Sequence, residues 1–225
     1  MFPVNSRPTS YGGNDYYTQV LLHFDGNNGG TTYTDSSKNN LTITRDGTST
    51  LSNTKSKFGG TSLSCSATGG CSFADSASYE PGSSDWTVDM WVYPTSSGTF
   101  QCVFAKGASY APILIANNSG AWAVYSSSTG TSWDKINALS MGTYTLNSWQ
   151  HLAITRVGTT VYPFVNGTLG TTVTVSGALL DNASSWNLGS QSGGNSLSGY
   201  IDEFRYTLGV GRWTSSFNTL TDEYR

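Results

Sequence analysis

Asp202 and Glu203 stand side by side within an apolar and aromatic stretch, Gly199-Tyr200-Ile201-Asp202-Glu203-Phe204-Arg205-Tyr206. A carboxylate buried without a partner costs roughly several kcal/mol, so each acid needs an arginine, backbone donors, a cation or water. Paired carboxylates are also the equipment of glycoside hydrolysis, where retention sets them about 5–5.5 Å apart. On a strand, that spacing requires acids at alternate positions projecting from one face. Consecutive Asp202 and Glu203 are expected on opposite faces, Asp202 held inside and Glu203 facing water or Arg205, and Asp85 and Asp89 lie four apart. Only His23 and His151 can supply the base of a nucleophilic triad; neither sits in a Gly-x-Ser-x-Gly elbow, and His151 reads as a half-buried strand residue of its hairpin. Three cysteines and two distant histidines lack zinc-ligand spacing. The expectation is a protein that does not catalyse.

The elements that hold these residues are strands. Hydrophobic residues make up 36% of the 225 and charged residues only 11%; Gly, Ser, Thr and Asn fill the balance, with 26 glycines and 7 tryptophans. Such a mixture favours short strands joined by turns, and its aromatics argue against disorder. The net charge of −3 comes without a basic stripe, so nucleic acid lacks its electrostatic footprint. No apolar stretch approaches the roughly 20 residues of a bilayer span, so membrane insertion is not expected. Met1 to Pro8 has no apolar core of a secretory signal, which suggests release by lysis, as for a virus particle component.

Residues 1–16 lack periodicity and read as an arm or linker, leaving residues 17–225 as one domain. The first strand is Thr18 to Phe24, followed by the turn-rich Asp25-Gly26-Asn27-Asn28. Ser62 to Cys65 and Cys71 to Ala74 read as a strand pair. Their cysteines allow either a local disulfide clasp or two free thiols, and Cys102 reads as a small core residue. In Trp86 to Pro94, Trp86, Val88, Met90 and Val92 share one face, and Asp89, Trp91 and Tyr93 the other. Trp149 to Val165 reads as a central hairpin, and a helical turn is a candidate at Val210 to Trp213. Short strands between turn clusters predict an all-β, two-sheet antiparallel β-sandwich of the jelly-roll kind.

Several segments together resemble the laminin G-like, concanavalin A-like jelly-roll family. They are Leu21-Leu22-His23-Phe24-Asp25-Gly26, Lys57-Phe58-Gly59-Gly60-Thr61-Ser62-Leu63, Asp85-Trp86-Thr87-Val88-Asp89-Met90-Trp91-Val92 and Trp149-Gln150-His151-Leu152-Ala153-Ile154-Thr155-Arg156. Val165-Asn166-Gly167 and Gly199 to Arg205 complete the set, in the family's order, over about residues 18 to 217. The closing Tyr206-Thr207-Leu208-Gly209-Val210-Gly211-Arg212-Trp213-Thr214 is similar to the version in bacteriophage tail and surface proteins. The resemblance implies a concanavalin A-like fold and binding of glycans or other extracellular ligands. It also implies a candidate structural calcium (Ca2+) site. Terminal strands of a jelly roll pair, which would bring Asp25 near Asp202, and the loop after Asp35 could add oxygens from Asp35 and Asn40. The alternative is that Asp25 caps a turn and Asp202 pairs with Arg205 or Arg156.

Sugar recognition needs aromatic faces beside hydrogen-bonding groups. The candidates are Tyr110, Trp122, Tyr125, Trp133 and Asp134, with Trp186 as a further aromatic; Trp133, in a polar loop, is the one expected to be exposed. Trp86, Trp91 and Trp149, in apolar alternation, are expected in the core. The combined expectation is a non-catalytic virion surface module, for capsid decoration or tail attachment, that recognises host-surface glycans. Its arm would contact other virion proteins. Monomer and homo-oligomer stay open. The alternative is a secreted carbohydrate-binding or carbohydrate-cleaving protein.

Overall fold

The computed structural model describes residues 13–66, 69–192 and 194–225. In chain order the first strands are β1 (Thr18–Leu22), β2 (Ile43–Arg45), β3 (Thr50–Ser52), β4 (Ser62–Cys65), β5 (Cys71–Phe73) and β6 (Trp86–Pro94). Then come β7 (Phe100–Lys106), β8 (Leu114–Asn118), β9 (Ala121–Ser126), β10 (Ile136–Thr143), β11 (Gln150–Val157) and β12 (Thr160–Val165). Last are β13 (Thr168–Leu169), β14 (Val173–Thr174), β15 (Trp186–Leu188) and β16 (Gly199–Leu208). A 3-10 turn spans Ala77–Tyr79.

Two antiparallel sheets form the sandwich. One runs β13-β12-β11-β6-β16-β4-β3, with β1 on β16 and β14 on β12; the other runs β10-β9-β8-β7-β15-β5-β2. The alternation expected in β6 places Trp86, Val88, Met90 and Val92 in the main core, against Phe104, Ile115, Trp122 and Trp186 from the facing sheet. The predicted hairpin is β11 paired with β12. The predicted pairing of β4 with β5 does not occur: they lie in different sheets, β4 beside β16 and β5 beside β15. Cys65, Cys71 and Cys102 are buried free thiols, and burial pushes all three up in pKa.

The strand that carries the two acids is the seam of the larger sheet. Along one side β16 pairs with β6; along the other it pairs first with β4, over Gly199 to Ile201, then with β1, over Phe204 to Thr207. Between those two partners the register shifts and Glu203 takes a left-handed φ of 50°. A non-glycine residue held there costs about 1–3 kcal/mol, and the bulge re-aims the side chain.

Residues beyond β16 fold back over the outer face of this sheet. Trp213 is buried against Ala153 and Phe164, and Tyr224 against Leu21 and Trp91. Trp213 and Phe217 stack at 4.1 Å. The helical turn expected at Val210 to Trp213 is not formed; the backbone there runs irregularly as a strap. The chain is already tied down before residue 17. Asp15 accepts from the Tyr17 and Thr18 amides and from Arg212 Nη2, which lies 3.0 Å from both its oxygens. The rest of the expected arm, residues 1–12, lies outside the described residues.

Candidate ligand-binding site

The acids read as metal candidates serve different purposes. Asp35 is buried and staples its own loop to β1: Oδ1 accepts from the Leu21 and Ser37 amides, and Oδ2 from Ser37 Oγ and the Leu41 amide. Asn40 is exposed at a left-handed turn, φ 45°. Asp202 is buried, with Oδ2 accepting from the Lys57 and Phe58 amides at 2.7 and 3.2 Å and Oδ1 from the Glu203 amide at 3.0 Å. Burial pushes the Asp202 carboxyl up to about 8, against the pull of those amides, and the charges of Glu203 and Asp25 add to the rise.

Pairing of β1 with β16 does bring Asp25 into the field of Asp202. Burial, then Glu223 and Glu203, raise the Asp25 carboxyl, and His23 opposes them. Among the described residues, however, no group of three His, Cys, Asp or Glu is arranged to hold a metal ion. With Asp35 saturated by four donors, the set Asp25, Asp35, Asn40 and Asp202 does not fit calcium, which needs about 6–8 free oxygens.

Neither arginine expected beside Asp202 is there. Arg205 pairs with Asp89, Nε to Oδ1 at 3.0 Å and Nη2 to Oδ2 at 2.9 Å, both side chains fully buried. Arg156 instead donates to the carbonyls of Gly158, Gly82, Val175 and Gly177. Glu203, expected to face water or Arg205, is buried between His23 Nδ1, 3.0 Å from both its oxygens, and the Tyr224 amide. The hydrogen bond to Glu203 raises the His23 pKa, with burial opposing. His151, expected half-buried, is 2% exposed; its Nε2 meets Tyr224 Oη at 2.8 Å and Asp89 Oδ2 at 3.5 Å.

The aromatic candidates divide between two faces of β9. Trp122 faces the main core, fully buried, with Nε1 donating to Gln150 Oε1 at 3.0 Å, and Trp186 is equally buried. Neither can meet a ligand, which corrects the sequence expectation for both. Trp91 and Trp149 also depart from expectation: they lie outside the main core, packed under the C-terminal strap.

Tyr125 points to the opposite face, where Cys102, Ala105, Leu114, Ala116 and Ala123 make a floor of small side chains. Over it, Trp133 sits 5.1 Å from Tyr125 and 5.3 Å from Tyr110, ring centre to ring centre, and Phe100 flanks Tyr125 at 5.8 Å. Tyr110 and Trp133 are half-buried and keep part of their ring surface in water. Tyr110 reaches this position through a left-handed φ of 56°.

Asp134 organises the loop that carries Trp133. Its Oδ1 accepts from the Ser128 amide at 2.9 Å and Ser127 Oγ at 3.1 Å, and its Oδ2 from Ser128 Oγ at 2.5 Å. The Ser128 hydroxyl is the main reason its carboxyl is held down at about 2. Ser127 Oγ accepts in turn from the Thr129 and Gly130 amides. Fixed loops present a ligand surface at lower entropic cost than mobile ones. The arrangement is a rigid aromatic shelf, Tyr110 and Trp133, rimmed by the exposed Thr129 and Thr131 and the half-buried Ser128.

A family model described as the concanavalin A-like lectin/glucanases superfamily matches residues 66–207. A search of curated protein sequences returns no match. Among solved structures, the chain is similar to domain 4 of AbnA, a GH43 extracellular arabinanase from Geobacillus stearothermophilus, in complex with arabinotriose. The TM-score is 0.65 at 20% identity, over 86% of this chain and 93% of that one. It is also similar to the binding domain of Paraclostridial Mosquitocidal Protein 1, with TM-score 0.65 and 14% identity over 90% of this chain and 50% of that one. The binding domain of botulinum neurotoxin DC in complex with SialylT gives TM-score 0.65 and 14% identity over 90% and 49%. The chain spans about half the length of these two toxin binding domains. At such identities the likeness is one of fold.

Proposed function

The chain belongs to the concanavalin A-like lectin/glucanases superfamily, and from that premise we propose that it is a non-catalytic recognition module that holds a glycan on the Tyr110–Trp133 shelf. The observation that carries the reading is that shelf: two half-exposed rings, backed by Tyr125 and fixed by the Asp134 loop. Aromatic faces suit the C–H surface of a sugar, and the hydroxyl rim suits its oxygens. Two of the similar folds, the arabinanase domain and the neurotoxin domain, carry glycans in their structures, which supports the same use here. Asp35, Asp134, Asp89 and Glu203 are engaged in holding loops, arginine and histidine, which favours recognition over hydrolysis.

The setting we propose is the surface of a virus particle, as a capsid decoration or tail attachment protein that reads host-surface glycans. The stretch Tyr206 to Thr214, similar to bacteriophage surface proteins, supports it. A secreted carbohydrate-binding protein is the second reading, favoured by the likeness to a domain of an extracellular arabinanase. Detection of the chain in purified particles or in cell-free medium separates the two.

Glycan-array binding tests recognition itself. A shelf residue at the centre of a binding site carries about 2 kcal/mol or more, so Trp133→Ala should weaken the best glycan about 30-fold. An array that stays blank for the native chain, or a Trp133→Ala variant that binds unchanged, rejects the shelf. Sugar released from a polysaccharide by the native chain rejects the non-catalytic reading.

A further inference from the structure

Lys106 ends β7, yet its side chain is wholly withdrawn from water. It pairs across β15 through Trp186, which in turn pairs with Phe73 at the end of β5. Just beyond β5 the chain turns through Asp75, the 3-10 turn Ala77–Tyr79 and Glu80. That turn delivers both carboxyls to one buried amine. Lys106 Nζ donates to Glu80 Oε1 and lies 2.8 Å from Asp75 Oδ1. The approach to Asp75 is off the line of a hydrogen bond, so Asp75 Oδ1 and Glu80 Oε2 are buried without a hydrogen-bond partner. Trp186 walls the amine, its ring centre 5.3 Å from Nζ.

We propose that Lys106 Nζ and the Glu80 carboxyl carbon condense into an intramolecular amide, cross-linking β7 to the turn after β5, with Asp75 as the proton acceptor. Amide formation needs a neutral amine, a neutral carboxylic acid as electrophile, a base between them and little water. Burial lifts the Glu80 carboxyl to about 7, and Asp75 adds to the lift while Lys106 opposes it. Burial raises Asp75 as well, but the Lys106 ammonium 2.8 Å away, with the Glu80 acid beside it, outweighs that and holds the carboxyl below the ordinary range. The two acids thus divide the roles, Glu80 keeping the proton and Asp75 giving it up.

The step balances without a co-reactant. The Lys106 ammonium passes one proton to the Asp75 carboxylate, and the freed lone pair attacks Glu80 Cδ. The tetrahedral adduct returns a proton through Asp75 to the departing hydroxyl, which leaves as water. The Nζ–Cδ bond forms, a Cδ–O bond breaks, and the last amine proton rests on Asp75 before passing to solvent. Reactants held this way reach effective concentrations of about 10⁵–10⁸ M, enough to drive a condensation that free amine and acid do not undergo in water.

The intact mass of the purified full-length chain tests this. The folded native protein, held at neutral pH, should be lighter than its sequence mass by one water, and fragmentation of its peptides should place the link between Lys106 and Glu80. Lys106→Arg keeps the charge but cannot form the amide, and Asp75→Asn removes the proton acceptor; both should run at full sequence mass. A native chain with folded-state near-ultraviolet circular dichroism and its full sequence mass overturns the proposal, leaving an ion pair. So does a water loss that maps to other residues. Because the decisive reading is on the native chain, a variant that fails to fold does not blunt it.

Discussion

Arg205→Met removes one half of a fully buried ion pair, and its cost can be worked from the geometry. Asp89 and Arg205 are both fully buried and meet through two parallel contacts of 3.0 and 2.9 Å. Without the guanidinium, Asp89 keeps His151, 3.5 Å away, and the Tyr224 hydroxyl, so a charge stays in the interior without its arginine. Breaking a buried pair in this way costs about 3–5 kcal/mol. Urea unfolding followed by tryptophan fluorescence should therefore shift to lower denaturant by roughly 1–2.5 M, given slopes of about 2–3 kcal/mol per molar urea for a chain of this size.

The double variant Asp89→Leu with Arg205→Met exchanges the pair for apolar side chains, and most of the loss should return, because neither charge then needs water. The pH dependence gives a second check. In the native chain Arg205 and His151 outweigh burial and hold the Asp89 carboxyl far below its ordinary value. That stabilisation is present above the unfolded carboxylate range and fades as pH falls through the folded value. In Arg205→Met burial acts without its main opponent, so acidification should narrow the gap to the native chain. A midpoint shift of the single variant below about 0.3 M, or a double variant as weak as the single, would refute the reasoning.

Stability should fall as pH rises from about 5 to about 9, because the folded pKa of Asp202 is raised to about 8 and that of His23 is raised as well. Each contribution is complete below the unfolded pKa and lost on passing the folded one; a melting temperature that rises over this range refutes the assignment, and Asp202→Asn should flatten the slope. Chelator should leave the melting temperature unchanged, since a bound cation would stabilise by mass action; a fall reversed by added calcium would show that Asp25 and Asp202 share an ion after all. Trp122→Ala should cost about 3–5 kcal/mol as a core truncation, measured by urea unfolding, whereas a Trp122→Ala chain of native stability would put that ring on the surface.

The larger sheet was readable where one face is apolar and the other polar. Trp86, Val88, Met90 and Val92 alternate along β6 and all four face the main core, while Thr87, Asp89 and Trp91 point to the other face, buried there by the strap. β9 defeats the same reasoning because both its faces are apolar: Trp122 and Val124 on one, Ala123 and Tyr125 on the other. Periodicity separates two faces without saying which is inside, so the sequence alone does not reveal that the sheet lies between Trp122 and Tyr125. The Asp202–Glu203 pair shows a different limit. Period-two reasoning puts the acids on opposite faces and turns Glu203 to water or Arg205. The register shift and the left-handed backbone at Glu203 break that period, and the C-terminal strap supplies the Tyr224 amide that holds it.

That strap has no period and few turn signals, so nothing local announces that it covers a sheet. Its docking is decided by partners far away in sequence: Trp213 against Ala153 and Phe164, Tyr224 against Trp91, Arg212 against Asp15. The charged residues buried beneath it follow from the same fact. Asp89, His151 and Arg205 lie on the face that a bare sandwich would turn to solvent, where alternation correctly predicts polar residues. The strap then closes over them, and only mutual pairing makes the burial tolerable. Among the described residues, the aromatic shelf on the opposite sheet has no such cover, and Tyr110 and Trp133 stay half-exposed. A floor of mostly small side chains lies beneath it and a carboxylate-tied loop holds its leading ring, so what remains open there is the surface proposed above for a glycan.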